Sequence, residues 1–127
     1  MALKIYRQFF QSRDQVLDDL KHTGHWPSTL ISDPSPEKSL HWHNLDVSGY
    51  IMSGSLYILD EHSVRHDLAT GDKFAIPRGT LHAEGEVSET VTYIIGMEYA
   101  GKIFEQFKPL GPNDPQRPLG SATGNES

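Results

Sequence analysis

The amino-acid sequence predicts an all-β domain, a sandwich or barrel of short strands with one short helix near the N-terminus. Between residues 40 and 99, short apolar stretches follow one another and are separated by turn residues. Eleven glycines and eight prolines among 127 residues supply the many turns that such a fold needs. The length of the chain is that of one domain with one hydrophobic core.

The first 27 residues are predicted to form an N-terminal extension, residues 1–27, made of one strand and one helix. Residues 3–10 alternate loosely between apolar and polar side chains and fit an edge strand. Ser12 fits a helix N-cap, and Gly24 fits the residue that ends a helix. The helix is therefore expected over residues 13–22.

The predicted barrel covers residues 28–108. Its strands are expected near residues 29–31, 40–43, 47–52, 55–60, 63–68, 73–76, 81–86 and 90–99. Turn residues such as Ser53-Gly54 and Pro77-Arg78-Gly79 separate them. The remaining residues, 109–127, have almost no large apolar side chains, so they are predicted to be a flexible tail, disordered or docked on a neighbouring molecule.

Composition argues against several classes of function. The net charge is −6 and the 11 lysines and arginines are scattered, so a nucleic acid is not an expected partner. No apolar run approaches the ~20 residues that span a bilayer, and no membrane partner is expected. The N-terminus lacks the apolar core of a secretion signal. The chain has no cysteine, which excludes disulfides and thiolate ligands. A cytoplasmic protein with a small-molecule ligand or substrate is the expectation.

Three histidines are the candidate metal ligands. His41 and His43 are two residues apart, so their side chains point to the same face of a strand. His82 begins a later strand, from which its side chain can approach the same point. Imidazoles that converge in a concave interior are typical of a metal site. The alternative is that His41 and His43 are exposed positions on either side of a buried Trp42.

Residues 71–82 resemble the second sequence motif of the cupin family. Gly71 is followed by Pro77, Gly79 and His82 in the family's order and spacing. This resemblance implies a cupin double-stranded β-helix, which is a jelly-roll barrel. It also implies that His82 is one ligand of a metal held inside the barrel.

The first cupin motif is matched only in part. His41 and His43 stand at its two histidine positions, and Gly54 stands at its later glycine. The family's glutamate ligand would fall at position 47, where this chain has Val47, and the family's early glycine would fall at Ser35. The resemblance therefore implies a metal site of three histidines without that glutamate.

The missing glutamate changes the expected chemistry. Three neutral imidazoles leave the full charge of a divalent ion and several open positions, which favours a small anionic organic molecule. Such sites resemble those of thiol dioxygenases and diketone-cleaving cupins, so iron is the first expected metal, with zinc, nickel and manganese as alternatives. Glu84, which shares a face with His82, is the predicted catalytic base or fourth ligand. Asp46, which would need a bulge to turn inward, and Glu86 are the other candidates for a fourth ligand.

The functional prediction is a metal-binding, dioxygenase-like oxidoreductase. Two alternatives stay open, a non-catalytic small-molecule-binding or sensory cupin and a sugar isomerase or epimerase, which would need a positioned acid–base pair. A homodimer is also expected, because Tyr50, Tyr57 and Tyr93 indicate apolar outer faces that one barrel cannot bury.

Overall fold

The computed structural model describes residues 2–98 and 108–118 of the chain. Its elements are β1 (Lys4–Tyr6), α1 (Arg13–Thr23), β2 (Trp26–Ser32), β3 (Val47–Ser53), β4 (Ser55–Leu59), β5 (Arg65–Ala69), β6 (Lys73–Ile76), β7 (Ala83–Glu84) and β8 (Val91–Met97). Within these two ranges, no helix has the length and apolar character needed to cross a membrane.

The strands form two antiparallel sheets around one main core. The larger sheet has the order β1-β6-β3-β8-β2, and the smaller has the order β5-β4-β7. Buried apolar side chains from both sheets fill the space between them, among them Ile51, Ile58, Leu68 and Ile95. The predicted all-β barrel with one short N-terminal helix is confirmed.

Helix α1 begins and ends close to where the sequence predicts. The Ser12 hydroxyl accepts the backbone N–H of Gln15 at 3.3 Å, which satisfies a donor that the first helical turn leaves unpaired. Gly24 follows the last turn with φ of 77°, a left-handed conformation that glycine adopts without the steric cost of a Cβ. These two caps mark the two ends of the 11-residue helix.

The outer face of the larger sheet is covered by α1. Val16 and Leu20 are buried against Tyr50 and Ile94, and the Tyr50 hydroxyl donates to the Asp19 carboxylate on the helix. The homodimer prediction relied in part on an exposed Tyr50. That reasoning is wrong, because α1 covers the ring completely.

The other two tyrosines on which the homodimer prediction relied do not form an apolar outer face either. Tyr57 and Tyr93 line an internal cavity. The Tyr57 hydroxyl donates to Glu37 at 2.7 Å, and the Tyr93 hydroxyl lies 3.1 Å from that of Ser32. The homodimer itself stays a prediction, without the apolar outer faces that first supported it.

Close packing of α1 on β8 depends on Gly96. A Cβ at this position would lie 2.2 Å from Cδ2 of the buried Leu20. We expect Gly96→Ala to lower the free energy of unfolding by about 1–3 kcal/mol, the usual cost of overpacking, in urea denaturation. Gly111→Ala is the control, because a Cβ there meets nothing within 4 Å. Equal losses in the two variants would contradict this account of the helix packing.

Strand β2 is longer than predicted. It spans Trp26–Ser32 rather than residues 29–31, although it contains Pro27. The strand lies at an edge of the larger sheet, where a proline costs little because the missing N–H can be one that faces away from the sheet. The sequence alone does not show which strand is an edge, so Pro27 by itself favours a strand that begins after it.

Two segments predicted as strands contribute little regular pairing. Residues 40–43 form single bridges, His41 with His82 and Trp42 with Leu110. The predicted strand 81–86 is reduced to β7, Ala83–Glu84. Residues 40–43 lie between two partner segments, one around His82 and one around Leu110, and they form a single bridge with each.

The C-terminal segment, residues 108–118, lies on the barrel of its own chain. Trp42 and Leu110 exchange two backbone hydrogen bonds of 2.9 and 2.8 Å, and the Trp42 indole donates to the Gly111 carbonyl at 2.7 Å. The prediction of a tail that is disordered or docked on a neighbour is wrong for this segment, because Trp42 holds it. Residues 99–107 of the predicted barrel and 119–127 of the predicted tail lie outside the described residues.

Candidate metal centre

Three histidines and one glutamate meet on the inner side of the barrel. His41, His43 and His82 are buried and Glu84 is half-buried. One ligand atom from each residue lies within 4.8 Å of the others, and the imidazole centroids are 4.6–5.2 Å apart. The structure thus brings together the three predicted ligands and the predicted fourth group.

Backbone pairing places these side chains. His41 and His82 lie directly opposite each other and exchange two hydrogen bonds of 2.9 Å, so their side chains share one face. His43 follows two residues later on that face, and its carbonyl accepts the N–H of Gly79 at 3.0 Å. Glu84 lies two residues beyond His82, also on that face, as the period of two along an extended chain predicts.

Asp46 has a structural role outside the cluster. Its side chain is exposed and accepts the backbone N–H of Arg78 at 2.7 Å. This bond holds the turn in which Gly79 adopts φ of 83°, a conformation that explains the glycine of the second motif. Val47, the next residue, faces the cavity beside the cluster. The position of the family's glutamate therefore faces the site but offers no donor atom.

Glu86, another candidate ligand, lies away from the cluster. Regular alternation ends with β7 at Glu84, and the next residue, Gly85, lies so close to Tyr57 that a Cβ would be 2.3 Å from the ring. Glu86 is exposed and lines a separate surface hollow with Arg65. The prediction that Glu86 faces the site is wrong, because it extended the strand alternation past the end of β7.

Backbone carbonyls orient two of the imidazoles. Nδ1 of His41 lies 2.6 Å from the Ser39 carbonyl oxygen, and Nδ1 of His82 lies 2.9 Å from that of Thr80. A carbonyl oxygen can only accept, so each Nδ1 carries a proton and each neutral ring presents the Nε2 lone pair to the cluster. Metal-binding histidines are commonly fixed by such a second hydrogen bond.

The Glu84 carboxylate faces these two lone pairs. Its oxygens lie 3.1 Å from Nε2 of His41 and 2.9 Å from Nε2 of His82. A carboxylate and neutral Nε2 atoms are all acceptors, so their close approach requires a proton or a metal cation between them. Three imidazoles and one carboxylate are a donor set that suits iron(II), zinc, nickel or manganese.

The metal-free site is stabilised by a proton. Burial lowers the pKa of His41, but the hydrogen bond and charge of Glu84 raise it by more, so this pKa lies above the ordinary 6.5. Burial raises the pKa of Glu84, whereas its interactions with His41 and His82 lower it far below its usual range. At a pH below the raised pKa of His41, an imidazolium–carboxylate pair results, and a metal ion then has to displace its proton.

Metal affinity is therefore expected to rise with pH. Each pH unit below the pKa of His41 should weaken binding about tenfold, because one proton is released per metal, and the affinity should level off above that pKa. The stability of the metal-free fold changes with pH in the opposite direction. The raised pKa of His41 stabilises this fold fully below pH 6.5. That contribution is lost as the pH rises through the raised pKa. Competition with a chromophoric chelator measures the affinity, and a pH-independent result would exclude proton displacement.

The cluster opens onto a cavity of about 490 Å³, a size typical of small-molecule sites. Apolar side chains such as Leu56, Ile58 and Phe74 form most of its walls. Residues 109–111 of the C-terminal segment close one side, and Lys38 lies at the rim.

Sequence reasoning did not identify Lys38, Tyr93 or the C-terminal segment as parts of this site. Trp42 is the one indication in the sequence of a further contact here, because a buried indole N–H usually has a hydrogen-bond acceptor. The acceptor is the carbonyl of Gly111, 69 residues away along the chain. Nothing in the local pattern indicates that distant partner.

Comparisons with known proteins bear on the fold. No family model and no curated protein matches the sequence, but solved structures do. A DUF861 family protein from Thermotoga maritima is 18% identical, with a TM-score of 0.55, over 75% of this chain and 98% of that protein. An RmlC-like cupin from Shewanella frigidimarina is 20% identical, with a TM-score of 0.54, over 64% and 71%. The polyketide cyclase RemF from Streptomyces resistomycificus is 14% identical, with a TM-score of 0.54, over 80% and 70%.

Proposed function

Because this chain has the fold of a small cupin domain, we propose that it is a divalent-metal-dependent enzyme acting on a small organic anion. One observation carries the proposal: three imidazoles and the Glu84 carboxylate converge at the wall of an apolar cavity. His41, His43 and His82 would hold the metal. Iron is the first candidate, since sets of histidine and carboxylate ligands with open positions suit iron(II).

Oxidation of the substrate by dioxygen is the reaction we put first. Bound iron(II) would supply redox chemistry with dioxygen and a positive charge for an anionic substrate. The chain's own residues have simpler roles. The carbonyls of Ser39 and Thr80 keep two imidazoles in the ligating orientation, and apolar walls such as Phe74 keep water away from the reacting atoms.

A proton transfer without dioxygen is the second candidate, and the position of Glu84 favours it. This carboxylate lines the cavity and could take a proton from a substrate carbon. Isomerases and cyclases perform this kind of step, and RemF, similar in fold, is described as a polyketide cyclase. The lowered pKa of Glu84 makes it a weak base. A ligand role for Glu84 is therefore ranked before a role as general base, and proton transfer is ranked second.

One experiment separates these reactions from a purely binding or sensory role. Metal-loaded protein is incubated with a mixture of small organic acids in air and under nitrogen, and each acid is followed by mass spectrometry. Oxidation predicts loss of one acid in air only, with oxygen added. Proton transfer predicts reaction in both atmospheres, with deuterium uptake in heavy water. Absence of turnover with iron, zinc, nickel and manganese would contradict an enzymatic function. His43→Ala is the inactive control.

Removing the charge of Glu84 should weaken metal binding. Glu84→Gln keeps the shape of the side chain but loses the negative charge beside two Nε2 atoms. We expect an affinity about 10–100-fold lower, the usual cost of losing a group that supports a metal site, in the chelator competition assay. Glu86→Gln makes the same change at an exposed position and should leave the affinity unchanged. Similar losses in both variants would indicate a general charge effect.

The homodimer and the cytoplasmic location are retained as proposals. Strand β2 is an edge of the larger sheet and exposes Ile31. An edge strand with an exposed apolar side chain can pair with a second copy of the chain. Light scattering distinguishes the dimer, at twice the chain mass of 14.2 kDa, from the monomer.

A further inference from the structure

We propose that Lys38 is the anion-binding residue of the cavity and that the ligand is a small amphipathic acid, with one carboxylate or enolate on a compact apolar body. This inference rests on the proposed function, because it concerns the substrate of the same cavity. It assigns the choice of substrate to residues that lie outside the metal cluster.

Lys38 is held beside the metal centre at the rim of the cavity. Its backbone N–H donates to the carbonyl oxygen of Glu84 at 2.9 Å, which fixes the residue next to the cluster. Lys38 is exposed and is one of the residues that line the cavity. The ammonium group can therefore reach a ligand whose body occupies the cavity.

The Lys38 ammonium forms no ion pair with any carboxylate of residues 2–98 and 108–118. Two acids close to Lys38, its chain neighbour and its backbone partner, have other side-chain contacts. Glu37 accepts the Tyr57 hydroxyl at 2.7 Å, and Glu84 contacts two imidazoles. A positive charge that belongs to no ion pair, at the mouth of an apolar cavity, attracts an anion, because the low-dielectric walls screen it less than water does.

The metal centre itself selects anions less strongly than a three-histidine site would. Glu84 would neutralise one of the two positive charges of a bound divalent ion, because its carboxylate lies within the cluster. Lys38 therefore supplies part of the preference for an anionic ligand.

An apolar ligand body fits the rest of the cavity. Leu56, Ile58, Phe74 and Ile95 offer no hydrogen-bonding side-chain atoms, so a sugar would leave hydroxyl groups buried without partners. The hydroxyls of Ser32 and Tyr93 lie 3.1 Å apart and share one hydrogen bond, which leaves one hydroxyl proton to donate elsewhere. This apolar part of the cavity thus favours an alkyl or aryl body over a sugar ring.

Octanoate and 1-octanol are suitable probes, because they share an alkyl chain and differ in charge. With the full chain kept metal-free by a chelator, we expect tighter binding of octanoate than of octanol in NMR titrations. Lys38→Met should weaken octanoate binding about fivefold, the upper range for an exposed ion pair, and leave octanol binding unchanged. Lys38→Arg should bind octanoate as tightly as the wild type does. Lys21→Met, the same change on α1, is the matched control.

Equal octanoate affinity in the wild type and Lys38→Met would overturn the role of Lys38. If the ligand body is apolar, affinity should rise with chain length from butanoate to octanoate, by about fourfold per buried methylene group. Equal affinities for these acids would overturn this part of the proposal. These titrations contain no metal, so they fail independently of the metal proposal. A chain that binds octanoate through Lys38 but takes up no metal would be a binding module.

Discussion

His82→Ala is expected to abolish metal binding and, with it, the thermal stabilisation that the metal gives the wild type. His82 is fully buried, and its Nε2 faces the other ligands. A ligand that binds only the folded state stabilises it by mass action, by about 2.7 kcal/mol at a free concentration of about 100 times Kd. The wild type should therefore melt at a lower temperature in chelator, and the variant should melt at the same temperature with and without chelator.

The measured quantity is the difference in melting temperature between the metal-loaded and the chelated samples of each variant. This difference is used because His82→Ala also leaves a void that lowers stability by itself. His62→Ala is the matched control. Its imidazole is 78% exposed and lies outside the cluster, so this variant should keep the full metal effect. A metal-dependent shift that persists in His82→Ala would remove His82 from the ligand set.

Trp42→Ala is expected to lower the free energy of unfolding by about 3–5 kcal/mol, the range for removing a large buried aromatic side chain. The Trp42 ring is 0% exposed, and its indole N–H donates to the Gly111 carbonyl. The substitution removes both the packing and the bond that hold the C-terminal segment. Because Trp42 lies between His41 and His43, the loss should also disturb the candidate metal site. Urea denaturation and metal affinity measure the two effects.

The chain offers a natural control for this prediction in its second tryptophan. Trp26 is 60% exposed, so Trp26→Ala should cost less than about 1 kcal/mol. Trp42→Phe keeps most of the ring packing but removes the donor to Gly111, and it should fall between the two. Equal losses at both tryptophans would contradict the role of Trp42 as the anchor of the C-terminal segment.

The fold and the histidine cluster could be predicted because local geometry determines both. Alternation along an extended chain places His41 and His43 on one face, and their neighbour Trp42 on the other. The glycine spacing of the second motif reflects backbone conformations that other residues rarely adopt, as the φ of 83° at Gly79 shows. The cupin fold inferred from that motif is confirmed by the similarity to solved cupin structures.

The rest of the site depends on contacts between segments far apart in the sequence. Alternation from His82 was correct for Glu84 and wrong for Glu86, because the end of β7 depends on Tyr57, which packs against Gly85 from another strand. The docking of Leu110 against Trp42 and the position of Lys38 at the cavity rim are equally non-local. A local pattern of polar and apolar residues contains no information about such partners.

The metal content of the wild-type protein tests the central claim most directly. Protein without an affinity tag is purified without chelator, and its metals are quantified by elemental analysis after dialysis. The account predicts about one divalent metal ion per chain, as expected for four ligands around a single point. A chelator should remove it, and titration with iron(II) should restore it. Protein that contains no metal, and takes up neither iron, zinc, nickel nor manganese on titration, would contradict the account.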